Sequence, residues 1–566
     1  MVEDRTGFWR KHRWLLWLAG GLLLVLIALG VAISIALDRA EPFLREQIVE
    51  KLSENFHARV ELDSFHVSLV DGLWAEGKGL QIWPPARNAE SGSGAVEATV
   101  ADSETPLIRV EEFRFHAPLE YKPGRPIRIG TVQINGLIID VPPKPHSAHA
   151  ETPANNKAEG GQGSSGGNLI RFEVGTVECK DAHLTLETDK PGKLPLEFAI
   201  AHVKVTQVNS DGPMHFDAEL TNPRPAGTIF TSGSMGQWAV DDPGETPVAG
   251  EYQFKHADLG VFKGIAGILE STGKYEGVLR TLVVDGVTDT PDFRLTHFGT
   301  PMPLHTKFHA IVDGTDGDTR LQPVDAMLGR SHFTAEGQVV RVPAVTTKNG
   351  WERPGGHDIV LTVNVDRAKM EDFLKLTSHS GTPLLTGDLT AKSTMEISPG
   401  QAPVQERLKL NGSFELENAE FTSEKIQGDV GQLSMRGQGR PKDAKINGGK
   451  DVRSAMQSHF KMAAGVITLP DIQYTVPGAE IDVKGTYGVE KGALDFVGTA
   501  RMQATVSQLV GGWKGFLLKP ADGLFKKNGA GTEVPIHVNG TREDPHFGVD
   551  FNRMKHSSPQ IPGGTQ

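Results

Sequence analysis

Ile127-Arg-Ile-Gly-Thr-Val-Gln-Ile-Asn-Gly-Leu-Ile-Ile-Asp-Val141 alternates apolar and polar residues in three runs: Ile127 and Ile129, then Val132 and Ile134, then Leu137, Ile139 and Val141. A period of two puts the apolar side chains on one face of a β-strand and the polar ones on the other. The first part returns as Phe172-Glu-Val-Gly-Thr-Val177, 45 residues on. Each copy precedes a further alternating strand, Leu137 to Val141 and Leu184 to Leu186. Repeated strand pairs of this kind predict stacking of similar units.

Working outward, the same alternation occupies most of the chain. Val60 and Leu62 alternate with charged residues, the phase slips at Ser64-Phe65, and Phe65, Val67 and Leu69 continue it. Such a slip predicts a bulge or tight turn. Ile108 to Val110 and Phe113 to Phe115 follow, and 65 Gly with 35 Pro suit many short strands joined by turns. Between the two copies, 142–168 holds Pro-Pro-Lys-Pro and a Gly/Ser run, a composition that buries too little apolar surface to fold. The tail 552–566 reads the same way. Loops are expected at 87–103, 343–357, 398–403 and 437–453.

Helices are few. Leu44, Ile48, Leu52 and Phe56 recur every four residues and predict an amphipathic helix over 40–57. It suits docking of the following body against its first strands or a membrane surface. Two shorter helices are predicted at Asp258–Leu269 and Asp366–Leu376, each opening on an Asp suited to an N-cap.

Ahead of these lie 24 residues without a charge, Trp14 to Leu37, 14 of them Leu, Ile or Val. About 20 apolar residues span the bilayer core as a helix, and insertion here gains on the order of 4–8 kcal/mol. Trp14, Trp17, Leu22, Leu26, Ile33 and Leu37 mark this anchor. Four Lys/Arg precede the span and two soon follow it, interleaved with acids. That bias keeps 1–13 cytoplasmic and exports the rest. Ser34-Ile35-Ala36 resembles a signal-peptide cleavage site, yet the apolar run exceeds the roughly 7–15 residues of such peptides.

Composition narrows the function. A net charge of −12 without a basic cluster argues against nucleic acid. Cys179 is the single cysteine, which rules out an intramolecular disulfide and reads as a buried small hydrophobe.

Catalytic patterns match only superficially. Gly163-Ser-Ser-Gly-Gly167 fits a nucleophile elbow but sits in the polar insert rather than at a strand-to-helix turn. Ser271-Thr-Gly-Lys274 lacks its partner motifs. Gly267 to Lys274 misses a phosphate loop by one residue and reads as a helix ending in a Gly turn. His305 and His309 have zinc-helix spacing, but their surroundings alternate as a strand, which places the rings about 13 Å apart. Asp313-Gly-Thr-Asp-Gly-Asp318 lacks the closing Glu of a calcium loop and reads as a hairpin turn. The sequence predicts no enzyme, no cofactor and no metal site.

The organisation resembles the AsmA-like family of bacterial envelope proteins. The resemblance rests on the anchor leading into Leu44 to Ile48, Ala58 to Leu62 and Gly79 to Ile82. It continues in Asp258 to Phe262, Gly277 to Gly286, Pro291 to Leu295 and Phe414 to Phe421. It closes on Ala464 to Leu469, Val483 to Tyr487, Ala493 to Phe496, Leu518 to Pro520, Leu524 to Lys527, Pro535 to Thr541 and Asp544 to Phe547. The insert at 142–168 departs from that pattern.

The resemblance implies a mainly β protein, with a transmembrane helix followed by an elongated, twisted, repetitive and largely antiparallel sheet curled into a groove. It implies a β region at 58–141, a groove region at 169–551, an inner-membrane anchor with a periplasmic body, and transfer of phospholipid or another lipid toward the outer membrane. A groove would shield acyl chains, each buried CH₂ contributing about 0.8 kcal/mol. The residues expected to line it are Val132, Ile134, Ile139, Phe172, Val174, Val177, Leu184 and Leu186, with Phe293, Leu295, Leu304 and Phe308 beyond. The alternative is a scaffold without transport, with a closed core and a polar face that contacts outer-membrane or envelope assembly proteins.

Overall fold

The structure is a computed structural model and describes residues 41–54, 58–68, 74–83, 105–116, 127–143, 172–188, 193–208, 212–237, 239, 243–262, 264–296, 300–346, 352–376, 382–400, 402, 404–442, 452–505, 508, 531–542 and 544–549. The expected anchor at 14–37, the insert at 142–168 beyond Pro143, and the tail at 552–566 lie outside the described residues. Among those described, no helix is long and apolar enough to cross a membrane.

Twenty-seven strands are described, and backbone pairing groups 25 of them into one sheet. The chain divides into two compact units: 1–187 with 195–221 and 231–248, and 188–194 with 222–230 and 249–566.

In the first unit, β1 (Val60–Glu61) and β2 (Ser64–Ser68) both pair with β3 (Trp74–Ile82), so the slip at Ser64-Phe65 is a break between two ladders on one partner. Gly79, at φ +67°, faces that break, and only a residue free of Cβ crowding turns there without strain. β4 (Ile108–His116), β5 (Ile127–Val141), β6 (Phe172–Leu186), β7 (Leu196–Thr206) and β8 (Met214–Pro223) follow, each paired with the one before.

The 45-residue repeat is resolved here. β5 and β6 are parallel neighbours, and every partner lies 45 residues away, from Ile127 with Phe172 to Val141 with Leu186. Each copy is one 15-residue strand, rather than the two strands expected. The phase slips are absorbed inside the strand. Gly136 (φ +65°) and Asp181 (φ +56°) sit one repeat apart, and each puts a bulge at the same level of its strand.

Helix α1 (41–54) packs on the first strands. Leu44, Ile48 and Val49 pack with Leu62, Phe65, Val110 and Phe113, and Leu52 with Val60 and Ile82. The Arg45 side chain donates to the Leu62 carbonyl at 2.8 Å, and Glu41 accepts from the Val67 amide at 3.0 Å. Phe56 of the expected stripe lies outside the described residues.

The second unit is an antiparallel succession. After β9 (Ala226–Met235), β10 (Pro247–Asp258) and β11 (Ile265–Ala266) come β12 (Ile268–Val278), β13 (Thr281–Leu295), β14 (Met302–Val312), β15 (Thr319–Leu328) and β16 (Ser331–Val342). A small ribbon, β17 (Val345–Thr346) with β18 (Glu352–Arg353), sits in the expected 343–357 loop. Then follow β19 (Gly356–Lys369), β20 (Leu385–Ile397), β21 (Leu408–Phe421), β22 (Ser454–Ala463), β23 (Val466–Val476), β24 (Ala479–Gly488), β25 (Ala493–Met502), β26 (Thr532–Thr541) and β27 (Pro545–Val549).

Three helix expectations change. Asp258–Leu269 is a single 3-10 turn at Leu259–Val261, capped by Asp258, and β12 already begins at Ile268. Gly264 (φ +106°) and Gly267 (φ +141°) hold backbone no helix contains. The Gly267–Lys274 stretch is therefore strand, not the end of a helix. Over Asp366–Leu376, only α2 (Met370–Lys375) is helical, because Asp366–Lys369 stays in the ladder of β19 through a bulge at Arg367 (φ +49°).

Two further helices were not expected: the single turn α3 (Val404–Arg407) and α4 (Glu424–Gly437). The Ser423 side chain caps α4 by accepting from the Ile426 amide. Ile426, Val430 and Leu433 at helical spacing were a legible signal for it.

A local device recurs through both units. Asp181-Ala182, His256-Ala257, Arg367-Ala368 and Asn418-Ala419 each combine a residue at positive φ with a following Ala that is 0–3 % exposed. The bulge turns the chain so tightly that only a methyl fits inward at the next position.

Candidate functional site

In the second unit the ladder registers align side chains into long rows. One row runs Val284, Ala310, Leu321, Gly337, Leu361, Met395, Leu410, Met462, Ile467, Tyr487 and Leu494, from β13 to β25. It carries no charge. The row one position away along part of the same strands reads Glu336, Thr362, Thr394, Asn411, Lys461, Thr468, Thr486, Asp495 and Asn539. From β16 to β25 the two rows thus put apolar residues on one face and polar ones on the other, as a period of two demands; on β13 and β15 the second face also carries the exposed Val287 and Met327.

The apolar row is not sealed. Ala310 and Met462 are buried, but Leu361, Met395, Leu410, Ile467, Tyr487 and Leu494 are half-exposed. In a closed sandwich such positions would be covered by a second sheet. Among the described residues the covering comes from helices at the strand ends. Met370, Phe373 and Leu374 of α2 pack on Val365, Leu385, Leu389 and Leu416. Val430 and Leu433 of α4 pack on Ile472, Tyr474 and Val476.

Aromatic rings keep the face low. A Cβ on Gly286 would lie 2.8 Å from the Phe308 ring, and one on Gly485 2.7 Å from the Phe496 ring. Each ring lies across the glycine opposite it on the neighbouring strand and so fills the floor without standing above it. A transverse line of hydroxyls crosses the same face, Tyr252 to Ser271 at 3.0 Å and Thr288 to Thr306 at 2.7 Å.

The expected lining residues divide between the units. Phe293, Leu304 and Phe308 are half-buried on the apolar face, where they oppose Met302, Thr290 and Gly286; Leu295 lies two residues beyond Phe293 and is half-buried too. Val132 pairs with Val177, Ile139 with Leu184, and Leu186 with Val141. Val132, Ile134 and Val174 are half-buried and pack against the cluster of Leu62, Phe65, Val110, Phe113, Phe115 and Ile129, and Leu186 is buried. Phe172 pairs through its backbone with Ile127, and its side chain lies outside the described residues. The longer apolar stretch from Leu361 to Leu494 was not singled out, although Leu408-Lys-Leu-Asn-Gly-Ser-Phe-Glu-Leu416 alternates without a break. The anchor residues Trp14, Trp17, Leu22, Leu26, Ile33 and Leu37 lie outside the described residues.

The residues weighed for chemistry are spent on structure. Ser271 points to the apolar face and donates to the Val287 carbonyl, while Lys274 pairs with Glu251 on the other face. His305 and His309 stand on β14, each at 2.8 Å from a different carboxylate, Asp289 and Asp285. In the 313–318 turn, Asp313 accepts from the Thr315 amide and Asp318 from the Arg341 amide. Burial raises the Cys179 thiol above its ordinary pKa. Among the described residues no three His, Cys, Asp or Glu side chains converge as a metal site.

No protein-family model, no curated protein and no solved structure matches the chain.

Proposed function

We propose that this protein is a membrane-anchored lipid carrier of the bacterial envelope, its apolar sheet face serving as a groove for acyl chains between inner and outer membrane. The observation that carries the reading is the uncharged row from Val284 to Leu494, in which Leu361, Met395, Leu410, Ile467, Tyr487 and Leu494 are partly exposed, with a polar row one position away from Glu336 onward. Water-exposed apolar surface of this extent is costly and marks a surface that meets an apolar partner. The row offers width and continuity without directional polar contacts, which suits chains that slide rather than dock. The resemblance to AsmA-like proteins and the uncharged span at 14–37 supply the cellular setting.

Photo-crosslinking in cells tests the reading. A photoreactive residue at Leu410, on the apolar row, should yield phospholipid adducts, and one at Asn411, its neighbour on the polar row, should not. Leu361→Asp with Met395→Asp should lower the adduct yield at Leu410 severalfold. An absence of lipid adducts at Leu410, or equal labelling at both positions, refutes the proposal. Protein adducts confined to Asn411 would favour the scaffold reading.

A further inference from the structure

On β16 and β19 the apolar face ends in charge. Gly337 pairs with Leu361, Val339 with Ile359 and Arg341 with His357, three pairs in succession on one face of the sheet. Segments from much earlier in the chain return to that end. The turn at 259–264 meets α3, where the Val404 side chain stands 3.1 Å from where a Cβ on Gly264 would lie. Arg224, at the β8–β9 turn, donates to the Val261 carbonyl of the same segment at 3.2 Å. The residues leading into α3 reach the other side. A Cβ on Gly400 would lie 3.3 Å from Arg407, and one on Gly356, next to His357, 3.3 Å from Pro399.

Lys193 completes the gathering, with its ammonium buried. The His357 ring keeps contact with solvent, yet partial desolvation, then the Arg341, Lys193 and Arg224 cations, push its pKa below the ordinary value. Asp318 opposes them, but its carboxylate already accepts from the Arg341 amide at 2.8 Å. Two exposed apolar side chains flank the cations. Leu194, 83 % exposed, follows Lys193, and Phe262, 37 % exposed, follows Val261.

We propose that Lys193, Arg224, Arg341 and His357 bind the phosphate of a phospholipid whose acyl chains lie on the adjoining apolar row. Cations brought together repel one another, and a phosphate supplies the counter-charge with acceptor oxygens that suit guanidinium forks. The neutral His357 ring adds one N–H donor. Position selects a lipid phosphate over a free one. The next residues inward on the same face are Val339 and Ile359, then Leu361, so whatever is esterified to the anion continues onto apolar surface. Leu194 and Phe262 extend that surface at the mouth. The inference rests on the lipid-carrier reading and adds where the polar end of the lipid is held.

The test titrates the full chain, in nonionic detergent micelles, with phosphatidylglycerol carrying a fluorescent acyl chain and with the matching diacylglycerol, which has the same chains and no phosphate. The parent should bind phosphatidylglycerol at least tenfold more tightly than diacylglycerol. Arg224→Gln with Arg341→Gln should remove that preference and leave diacylglycerol binding within twofold of the parent. Arg224→Lys with Arg341→Lys, which keeps the charge, should retain most of it. Arg501→Gln, which removes an arginine paired with Asp482 on the polar face of β25, should change neither affinity. Equal affinity of the parent for the two lipids, an unchanged preference in the double Gln variant, an equal loss of both lipids in that variant, or complete displacement of phosphatidylglycerol by millimolar inorganic phosphate would each overturn the phosphate site while acyl carriage stood. Binding of neither lipid by the parent would overturn the carrier reading as well.

Discussion

Replacing Asp372 by alanine should loosen the turn between β15 and β16 without unfolding the sheet. Asp372 is 1 % exposed at the start of α2. One carboxylate oxygen accepts from the Arg330 amide at 3.0 Å and from the Ser331 hydroxyl at 2.9 Å. Ser331 in turn accepts from the Lys369 amide at 2.9 Å, so a single carboxylate ties α2, the end of β19 and the β15–β16 turn together. Hydrogen bonds to a charged group contribute about 1.5–3 kcal/mol each, and alanine leaves the Arg330 amide without its acceptor and the Ser331 hydroxyl with only the Lys369 carbonyl at 3.2 Å. The net local loss should be about 3 kcal/mol, or roughly a hundredfold in the opening equilibrium, since 1.4 kcal/mol is about a factor of ten. Amide hydrogen exchange of the full chain reads this directly: protection at Arg330 and across α2 should fall by about two orders of magnitude, with β23 to β25 unaffected. Asp372→Asn keeps an acceptor oxygen and should lose about half as much. Protection at Arg330 within threefold of the parent in Asp372→Ala would sink the reasoning.

The bulge residues give a second check. Asn418→Gly should be tolerated, whereas Asn418→Val, a β-branched residue at φ +53°, should destabilise by about 1–3 kcal/mol in urea unfolding. The Lys369 ammonium and then the Asn418 amide hold the Asp388 carboxyl below its ordinary pKa. A lowered folded pKa means the contribution is complete above the unfolded carboxylate range and fades as pH falls through the lowered value. The stability gap between parent and Asp388→Asn should thus be flat above about pH 5 and shrink below about pH 4, as measured by unfolding midpoints across pH. Cys179, 1 % exposed and with its thiol pushed up by burial, should react with a thiol reagent at pH 8 only after denaturant is added. Prompt reaction in buffer would contradict its placement.

Much of the architecture was legible because a strand's side-chain period is local. The alternation around Ile127, Leu304 and Phe308 marked strands, and the hairpin at Asp313 to Asp318 followed from turn residues between two such runs. What local reading missed was continuity. Gly136 and Asp181 looked like strand ends, yet a ladder carries a strand through a bulge when both neighbours supply partners. The short helices failed for the converse reason. Asp258 and Asp366 carry good capping side chains, but the backbone around them was already committed to neighbouring strands, and Gly264 and Gly267 took conformations a helix lacks.

The sequence by itself determined the β character, an amphipathic helix within 40–57, the two-faced strands and the 45-residue repeat, because each depends on spacing along a single segment. Only the tertiary structure decided that the two repeat copies lie side by side in parallel register. It also decided that Val132, Ile134 and Val174 pack against the same buried cluster as helix 41–54, and that the ladders of the second unit align a row from Leu361 to Leu494. Periodicity states which side chains share a face. Whether that face is covered depends on what else packs against it, and that is set by contacts between residues far apart in the chain.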